Sequence, residues 1–137
     1  MNDPDRQTVI PSDLDAARRL QEEIEGVVRD AFADHDAFAI KMAVEEALVN
    51  AIKHGNQMDP DKSVRVAYSL GLERFDVRIT DEGPGFNPED VPDPTAPENL
   101  ERPCGRGLLL IRFYMTGVAF QDNGRTIVMH KLRNGTK

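Results

Sequence analysis

The residues best suited to chemistry in this sequence lie in one helix-like stretch, AVEEALVNAIKHGN, at positions 43–56. Glu46 and Asn50 are four residues apart, so a helix places them one above the other on a single face. A carboxylate there can take a proton from a hydroxyl, an amide oxygen can ligate Mg²⁺, and the nearby Lys53 can lie against a phosphate. The alternative interpretation of this first motif (residues 46–54) is a helix edge with solvated polar groups.

A second motif, Asp81-Glu82-Gly83-Pro84-Gly85, directly follows a strand-like segment. Its two glycines allow the backbone to approach a flat or anionic ligand closely. The Asp81 carboxylate accepts hydrogen bonds only, so it can receive one from an exocyclic amine such as that of adenine. By itself the motif is also typical of a plain turn.

A third motif, Gly105-Arg106-Gly107-Leu108, opens an apolar helix-like run. Free backbone N–H groups at a helix start, together with the helix dipole, favour an anion, and Arg106 would add positive charge. The alternative is a flexible junction between a loop and a helix.

Periodicity predicts the elements that position these motifs. The first helix begins at Ser12, which forms a capping-box-like start with Asp15; the second runs from about Asp36 to His54 and stops at Gly55. The other predicted elements are a strand over Arg6–Ile10, strands Ser63–Leu70 and Arg74–Thr80, a buried helix at GLLLIRFYM (107–115), and a hairpin turning at residues 122–124.

Strands in pairs, with helices between the pairs, favour an α+β sandwich: one mostly antiparallel sheet with helices on one face. The long segment between the second and third motifs is rich in Pro, Gly and acidic residues. Loops of this length in a compact domain are usually lids or disordered, and the flanking glycine motifs favour a lid at about 86–104.

Length and composition bound the class of protein. The 137 residues fit a single domain, 1–137, with 39% hydrophobic and 30% charged residues. A net charge of −7 disfavours direct nucleic-acid binding and favours a protein partner. No apolar run is long enough to cross a membrane, and the single Cys104 excludes an internal disulfide, so we expect a soluble cytoplasmic protein.

In this order, with the lid between the second and third, the motifs resemble the Bergerat-fold (GHKL) superfamily of ATPases and kinases. The resemblance implies a Bergerat α/β sandwich with a mixed, mostly antiparallel sheet, helices on one face and an ATP lid. The segments EEALVNAIKHGN, DEGPGFNPEDVPDP and RPCGRGLLLIRFYMTGVAF narrow it to the RsbW-like anti-sigma-factor serine/threonine kinases. The G-x-x-x-x-G-K-[ST] phosphate loop is absent, which argues against a Walker-type NTPase.

The resemblance implies roles for the first two motifs. Glu46 would be the catalytic general base, Asn50 would ligate Mg²⁺, and Lys53 would lie near the phosphates. Asp81 would bind the adenine amino group, in a base pocket shaped by Gly83 and Gly85.

The resemblance also implies roles nearer the C-terminus. The third motif would contact the phosphates under the closed lid, through Gly105, Arg106, Gly107 and Leu108. Thr126 would assist Asp81 at the adenine.

Glu46 discriminates between kinase types. Histidine kinases of the resembled superfamily usually carry Asn at this position, because an imidazole is already nucleophilic, whereas a hydroxyl acceptor benefits from a carboxylate base. We therefore expect a kinase that uses ATP and Mg²⁺ to phosphorylate a STAS-domain anti-anti-sigma protein, with a sigma factor as a further partner and a homodimer as its assembly.

Two alternatives stay open. A nucleotide-binding regulatory module could sequester a protein partner without phosphoryl transfer, although the presence of both Glu46 and Asn50 argues against it. A hydrolase is the weaker alternative, because the ATPases of the resembled superfamily carry a further domain.

Overall fold

The computed structural model describes residues 3–85 and 103–133. The strands are β1 Asp3–Pro11, β2 Ser63–Leu70, β3 Arg74–Thr80, β4 Gly117–Gln121 and β5 Thr126–Leu132, and the α-helices are α1 Leu14–Arg29, α2 Asp34–Val49 and α3 Pro103–Tyr114. A π-helical turn, Asn50–Gly55, continues α2, and a 3₁₀ turn, Asp122–Gly124, connects β4 to β5. Most of the predicted lid, residues 86–102, lies outside the described residues.

The strands form one sheet in the order β1-β2-β3-β5-β4, and each neighbouring pair is antiparallel. The predicted α+β class is confirmed, and the predicted bounds of β2 and β3 match the structure. Alternate residues of these strands are buried, including Val64, Val66, Val77 and Ile79. One face of the sheet is therefore covered, as expected for an antiparallel sheet beneath helices.

The helices and the covered sheet face form one hydrophobic core. Helix α2 packs against both α1 and α3, which explains why so much of it is apolar. Ile40, Ala43 and Val44 in its middle have no exposed surface. A polar residue on the buried side of this helix therefore requires a particular reason for its presence, such as a ligand or a hydrogen-bonding partner.

The start of α1 differs from the prediction. Asp13, not Ser12, is the N-cap, and its side chain accepts a hydrogen bond from the Asp15 N–H at 3.2 Å. Ser12 is instead buried, and its hydroxyl donates to the Lys62 carbonyl oxygen at 3.0 Å. The capping-box interpretation was wrong because a distant segment takes the Ser12 hydroxyl.

Helix α3 begins earlier and is less buried than predicted. It starts at Pro103, so Pro103 and Cys104, which the prediction assigned to the lid, belong to the helix. Ile111 is buried, but Leu109 and Phe113 are 45% and 79% exposed. The prediction of a wholly buried helix was wrong because an unbroken apolar run gives no indication of which side faces solvent.

Candidate functional site

The first motif lies where α2 changes to the π-helical turn. Glu46 is in the last turn of α2, and Asn50 is the first residue of the π-helical turn. Both side chains are half-buried, whereas Lys53 and His54 are exposed. Single π-turns occur frequently at functional sites, so the irregularity coincides with the residues singled out for chemistry.

The π-turn is closed by backbone hydrogen bonds that span five and six residues, more than the four of an α-helix. The Asn56 N–H donates to the Ala51 carbonyl oxygen, five residues earlier, at 2.8 Å, and the Met58 N–H donates to the Ile52 oxygen at 2.8 Å. Gln57 and Met58 then take positive φ angles, 55° and 60°. The helix therefore ends as a widened turn just beyond Gly55, where the sequence predicted its stop.

The second motif meets the end of the first-motif helix through two glycines, Gly83 and Gly55. A Cβ placed on Gly83 would overlap the carbonyl oxygen of Gly55 and lie 2.6 Å from its carbonyl carbon. A Cβ placed on Gly55 would overlap the Asp81 carboxylate. Neither glycine has room for a side chain, because Gly83 lies against the Gly55 backbone and Gly55 lies against the Asp81 carboxylate. The residue that follows the first motif is therefore directly against Asp81.

Asp81 is half-buried, and its backbone and side chain are both held in place. Its N–H donates to the Arg125 carbonyl oxygen at 3.0 Å, and its Oδ1 accepts from the Gly83 N–H at 2.8 Å. Burial raises the pKa of the Asp81 carboxyl above its usual value, and the Gly83 hydrogen bond and the nearby Arg125 oppose that shift. Oδ2 receives no hydrogen bond from the described residues, so it is the oxygen more available to a ligand.

The far side of the second motif contacts the β4–β5 hairpin. The Arg125 Nε–H donates to the Gly83 carbonyl oxygen at 2.8 Å. Gly85 has φ of +80°, and a Cβ there would overlap the Asn123 carbonyl oxygen. Both glycines predicted to shape a base pocket are therefore required by close backbone approach.

Thr126 lies at the same edge of the sheet. It is buried and pairs with Thr80 across β3 and β5, and the two side-chain oxygens are 2.9 Å apart. Thr80 immediately precedes Asp81, the predicted adenine ligand. Thr126 therefore contacts the residue next to Asp81.

The third motif lies in the first two turns of α3, which packs against α2 and the π-turn. Gly105, Arg106 and Gly107 are within the helix and do not open it, because the helix begins two residues before Gly105. The side chain of Arg106 lies outside the described part of the structure. Leu108 is half-buried.

Sequence reasoning missed Asn56, which has no exposed surface. Its Nδ2 donates to the Ser12 Oγ at 2.7 Å and to the Ser63 carbonyl oxygen at 2.9 Å, and its Oδ1 accepts from the Glu82 N–H at 2.7 Å. In the sequence NQMDPD, this asparagine is indistinguishable from an ordinary turn residue. Its position directly after Gly55 and the first motif was the one available signal.

Within residues 3–85 and 103–133, no group of three or more His, Cys, Asp or Glu side chains could hold a metal ion. Mg²⁺ is commonly held by one or two protein oxygens together with phosphate oxygens and water, so the Asn50 amide oxygen suits it without such a group. No helix in that same part of the chain is long and apolar enough to span a membrane.

Comparisons with known proteins agree with this architecture. Residues 10–131 match the model of the histidine kinase-like ATPase domain family. The chain is 31% identical over 119 residues to the serine-protein kinase RsbW of Listeria innocua, covering 81% of this chain and 76% of that protein. It is 34% identical over 101 residues to the anti-sigma F factor of Clostridium perfringens, covering 69% and 71%.

A solved structure has the same fold. The crystal structure of the RsbU and RsbW domains of a Mycobacterium tuberculosis protein matches with a TM-score of 0.65 at 16% identity. The match covers 95% of this chain and 32% of that one, so the chain spans about a third of its length. Taken with the family match over residues 10–131 and the two relatives above 30% identity, the chain belongs to the histidine kinase-like ATPase domain family, in its RsbW-like branch.

Proposed function

We propose that this chain is an ATP-dependent protein serine/threonine kinase that acts as an anti-sigma factor in a partner-switching circuit. In this proposal it phosphorylates a STAS-type anti-anti-sigma protein and, in another state, binds a sigma factor. The relatives named serine-protein kinase and anti-sigma F factor support both halves of the proposal.

The observation that carries the proposal is the placement of Glu46. It lies one helical turn before Asn50, on the helix whose π-helical end contacts the Asp81 loop. A carboxylate at this point can accept the proton of a serine or threonine hydroxyl as its oxygen attacks the γ-phosphorus of ATP. The new bond joins that oxygen to phosphorus, and the bond from phosphorus to the β,γ-bridging oxygen breaks to release ADP.

The remaining residues bind and orient the nucleotide. Asp81 would accept a hydrogen bond from the adenine amino group at Oδ2, because its Oδ1 already accepts one from the Gly83 N–H. Lys53 and Arg106 would neutralise phosphate charge, and the N–H groups left free in the first turn of α3, including that of Gly105, would donate to phosphate oxygens. Gly107 and Leu108 would lie beside the phosphates. Mg²⁺, held by the Asn50 amide oxygen together with phosphate oxygens, would neutralise the charge that develops during transfer.

Few protein groups suffice for the proposed reaction. Phosphoryl transfer depends on positioning and charge neutralisation more than on covalent help from the enzyme. The close contacts of Gly55 with the Asp81 carboxylate and with the Gly83 backbone support the positioning role. We also propose that the protein acts in the cytoplasm as a homodimer, as the resembled family implies.

A second candidate function is a nucleotide-dependent binding module that sequesters a partner without phosphoryl transfer. The half-buried Glu46 favours the kinase, because a pure binding module has no use for a carboxylate near the γ-phosphate.

The test supplies γ-labelled ATP and Mg²⁺ to the protein with each STAS-domain protein encoded by the same genome. Glu46→Gln, which keeps the shape of the side chain and removes its basicity, is the matched variant. We expect label on one STAS protein with the wild type, and a rate about 10²- to 10⁴-fold lower with Glu46→Gln. ATP binding should be unchanged in the variant.

The outcomes separate the two functions. ATP binding without label on any candidate protein would favour the sequestering module. Equal transfer by the wild type and Glu46→Gln would exclude Glu46 as the general base while leaving a kinase in place.

A further inference from the structure

The side-chain amide of Asn56 links four segments of the chain. It directly follows the π-turn, and it bonds the junction of β1 and α1 through Ser12, the start of β2 through Ser63, and the second motif through Glu82. Each hydrogen bond is 2.9 Å or shorter, and the residue has no exposed surface. Both donor hydrogens and the acceptor oxygen of the amide are therefore used.

The bond to Glu82 acts on the loop that carries the predicted adenine ligand. The Glu82 N–H lies between Asp81 and Gly83, so the Asn56 Oδ1 holds that peptide from the helix side. From the β4–β5 hairpin, the Arg125 Nε–H donates to the Gly83 carbonyl oxygen at 2.8 Å. The loop is thus held between a buried amide and a guanidinium, and displacement of either would move the Asp81 carboxylate.

The close contact between Gly55 and Gly83 makes this position sensitive. No side chain separates the two backbones, so the polar contacts beside them act directly on their spacing. Asn56 is adjacent to Gly55, and its amide bonds the residue next to Gly83. It therefore helps to hold the second motif against the helix that carries Glu46 and Asn50.

We propose that Asn56 is a positioning residue for nucleotide recognition, which sets the Asp81 carboxylate against the helix of the first motif without touching the nucleotide. The inference rests on the proposed function, because it takes ATP as the ligand of this loop. Ser12 provides a matched control, since its hydroxyl bonds the same amide on the side away from Glu82.

The experiment measures dissociation constants of Mg-ATP and Mg-GTP by calorimetry for the full chain and its variants. Guanine carries a carbonyl oxygen at C6, where adenine carries its amino group, so the ratio of the two constants reports the position of the Asp81 carboxylate. We expect Asn56→Ala to weaken ATP binding about tenfold and to reduce the preference for ATP over GTP by a similar factor. Ser12→Ala should lower the melting temperature and leave that preference unchanged.

A second variant separates positioning from simple loss of stability. Gly26 lies in α1, and a Cβ there would meet no atom within 4 Å, so Gly26→Ala should raise stability through helix propensity. We expect the double variant Asn56→Ala/Gly26→Ala to melt higher than Asn56→Ala and still show the reduced preference for ATP.

Either of two results would overturn the positioning role. One is a double variant whose preference for ATP over GTP equals that of the wild type. The other is a Ser12→Ala variant whose preference is reduced as much as that of Asn56→Ala. Wild-type protein that binds ATP selectively but transfers no phosphate would remove the proposed kinase function and leave this inference standing. Wild-type protein that does not distinguish ATP from GTP would overturn the inference directly.

Discussion

The two ends of α2 hold their surroundings in different ways. At the N-terminal end, the buried Asp36 lies 3.8 Å from the Lys131 Nζ, which also donates to the Tyr114 carbonyl oxygen at 2.6 Å. At the C-terminal end, the π-turn that continues α2 finishes at Gly55, which contacts Asp81 and Gly83 with no room for a Cβ. One end uses a long, adjustable side chain, and the other uses backbone in direct contact.

The difference shows where accurate geometry is needed. A lysine side chain has a flexible four-carbon stem and can follow a small shift of its partners. The position of the N-terminal end of α2 can therefore vary slightly without loss of this contact. Backbone contacts and a buried amide cannot adjust in this way. Changes at the C-terminal end should therefore affect nucleotide binding, and changes at the N-terminal end should affect stability alone.

The largest effect is expected for Gly83→Ala. The added Cβ would overlap the Gly55 carbonyl oxygen, which is backbone and cannot rotate away. We expect a loss of about 3 kcal/mol in the free energy of unfolding and loss of ATP binding. Urea denaturation and calorimetry measure the two quantities, with Gly26→Ala as the glycine control that should not be destabilised. Normal ATP binding by Gly83→Ala would contradict the rigid contact.

Asp81→Asn should have the next largest effect, on binding. The asparagine can keep its Oδ1 bonded to the Gly83 N–H, which places an NH₂ group where Oδ2 now lies. Two donors would then face each other at the adenine amine. We expect ATP binding weaker by about 10- to 100-fold, measured by calorimetry. Unchanged affinity would remove Asp81 from the base pocket.

The same variant should also alter the pH dependence of stability. Burial raises the pKa of Asp81, so the folded state binds this proton more tightly than the unfolded state. Stability contributed by this group therefore falls as pH rises from its usual pKa through the raised one. Urea denaturation between pH 4 and pH 7 should show Asp81→Asn gaining stability relative to the wild type as the pH rises.

Asp36→Asn tests the other end of α2. Removing the carboxylate charge leaves Lys131 with its bond to the Tyr114 carbonyl oxygen. We expect a loss of about 1 kcal/mol in stability and no change in ATP affinity, because the ion pair at 3.8 Å is long. Weakened ATP binding comparable to that of Asn56→Ala would show that the two ends of α2 do not differ as described.

The smallest effect is expected for Glu82→Gln. The exposed Glu82 carboxylate accepts from the Ser63 N–H and hydroxyl at 2.7 Å each, and these bonds lower its pKa. A lowered pKa stabilises the folded protein above the usual pKa of 4.5 and loses that contribution as pH falls through the folded value. The variant should therefore be slightly less stable than the wild type at pH 7, and urea denaturation should show that difference shrinking as the pH falls below 4.5.

Most of the fold could be predicted because its elements carry strong local patterns. The alternation in β2 and β3 gave their bounds correctly, and the stop at Gly55 coincides with the end of the π-turn. The prediction was wrong where a distant partner decides: Ser12 bonds Lys62 across the fold, and Phe113 faces solvent although its run is apolar. No local pattern distinguishes these outcomes.

The candidate site divides in the same way. Residue type and spacing were enough to single out Glu46, Asn50, Asp81 and the glycines, because the chemistry of each is a property of its side chain or its absence. Asn56 could not be found, because its role depends on four segments that meet only in the folded chain.

The sequence by itself determined which groups are available and which elements carry them: a carboxylate and an amide one helical turn apart, and glycines after a strand. The tertiary structure decided how close those elements come, through the overlap-free contact of Gly55 with Gly83 and the buried amide that holds the adjoining peptide. The physical reason is that side-chain chemistry and helical periodicity are local, whereas the distance between two backbones depends on the packing of the whole core.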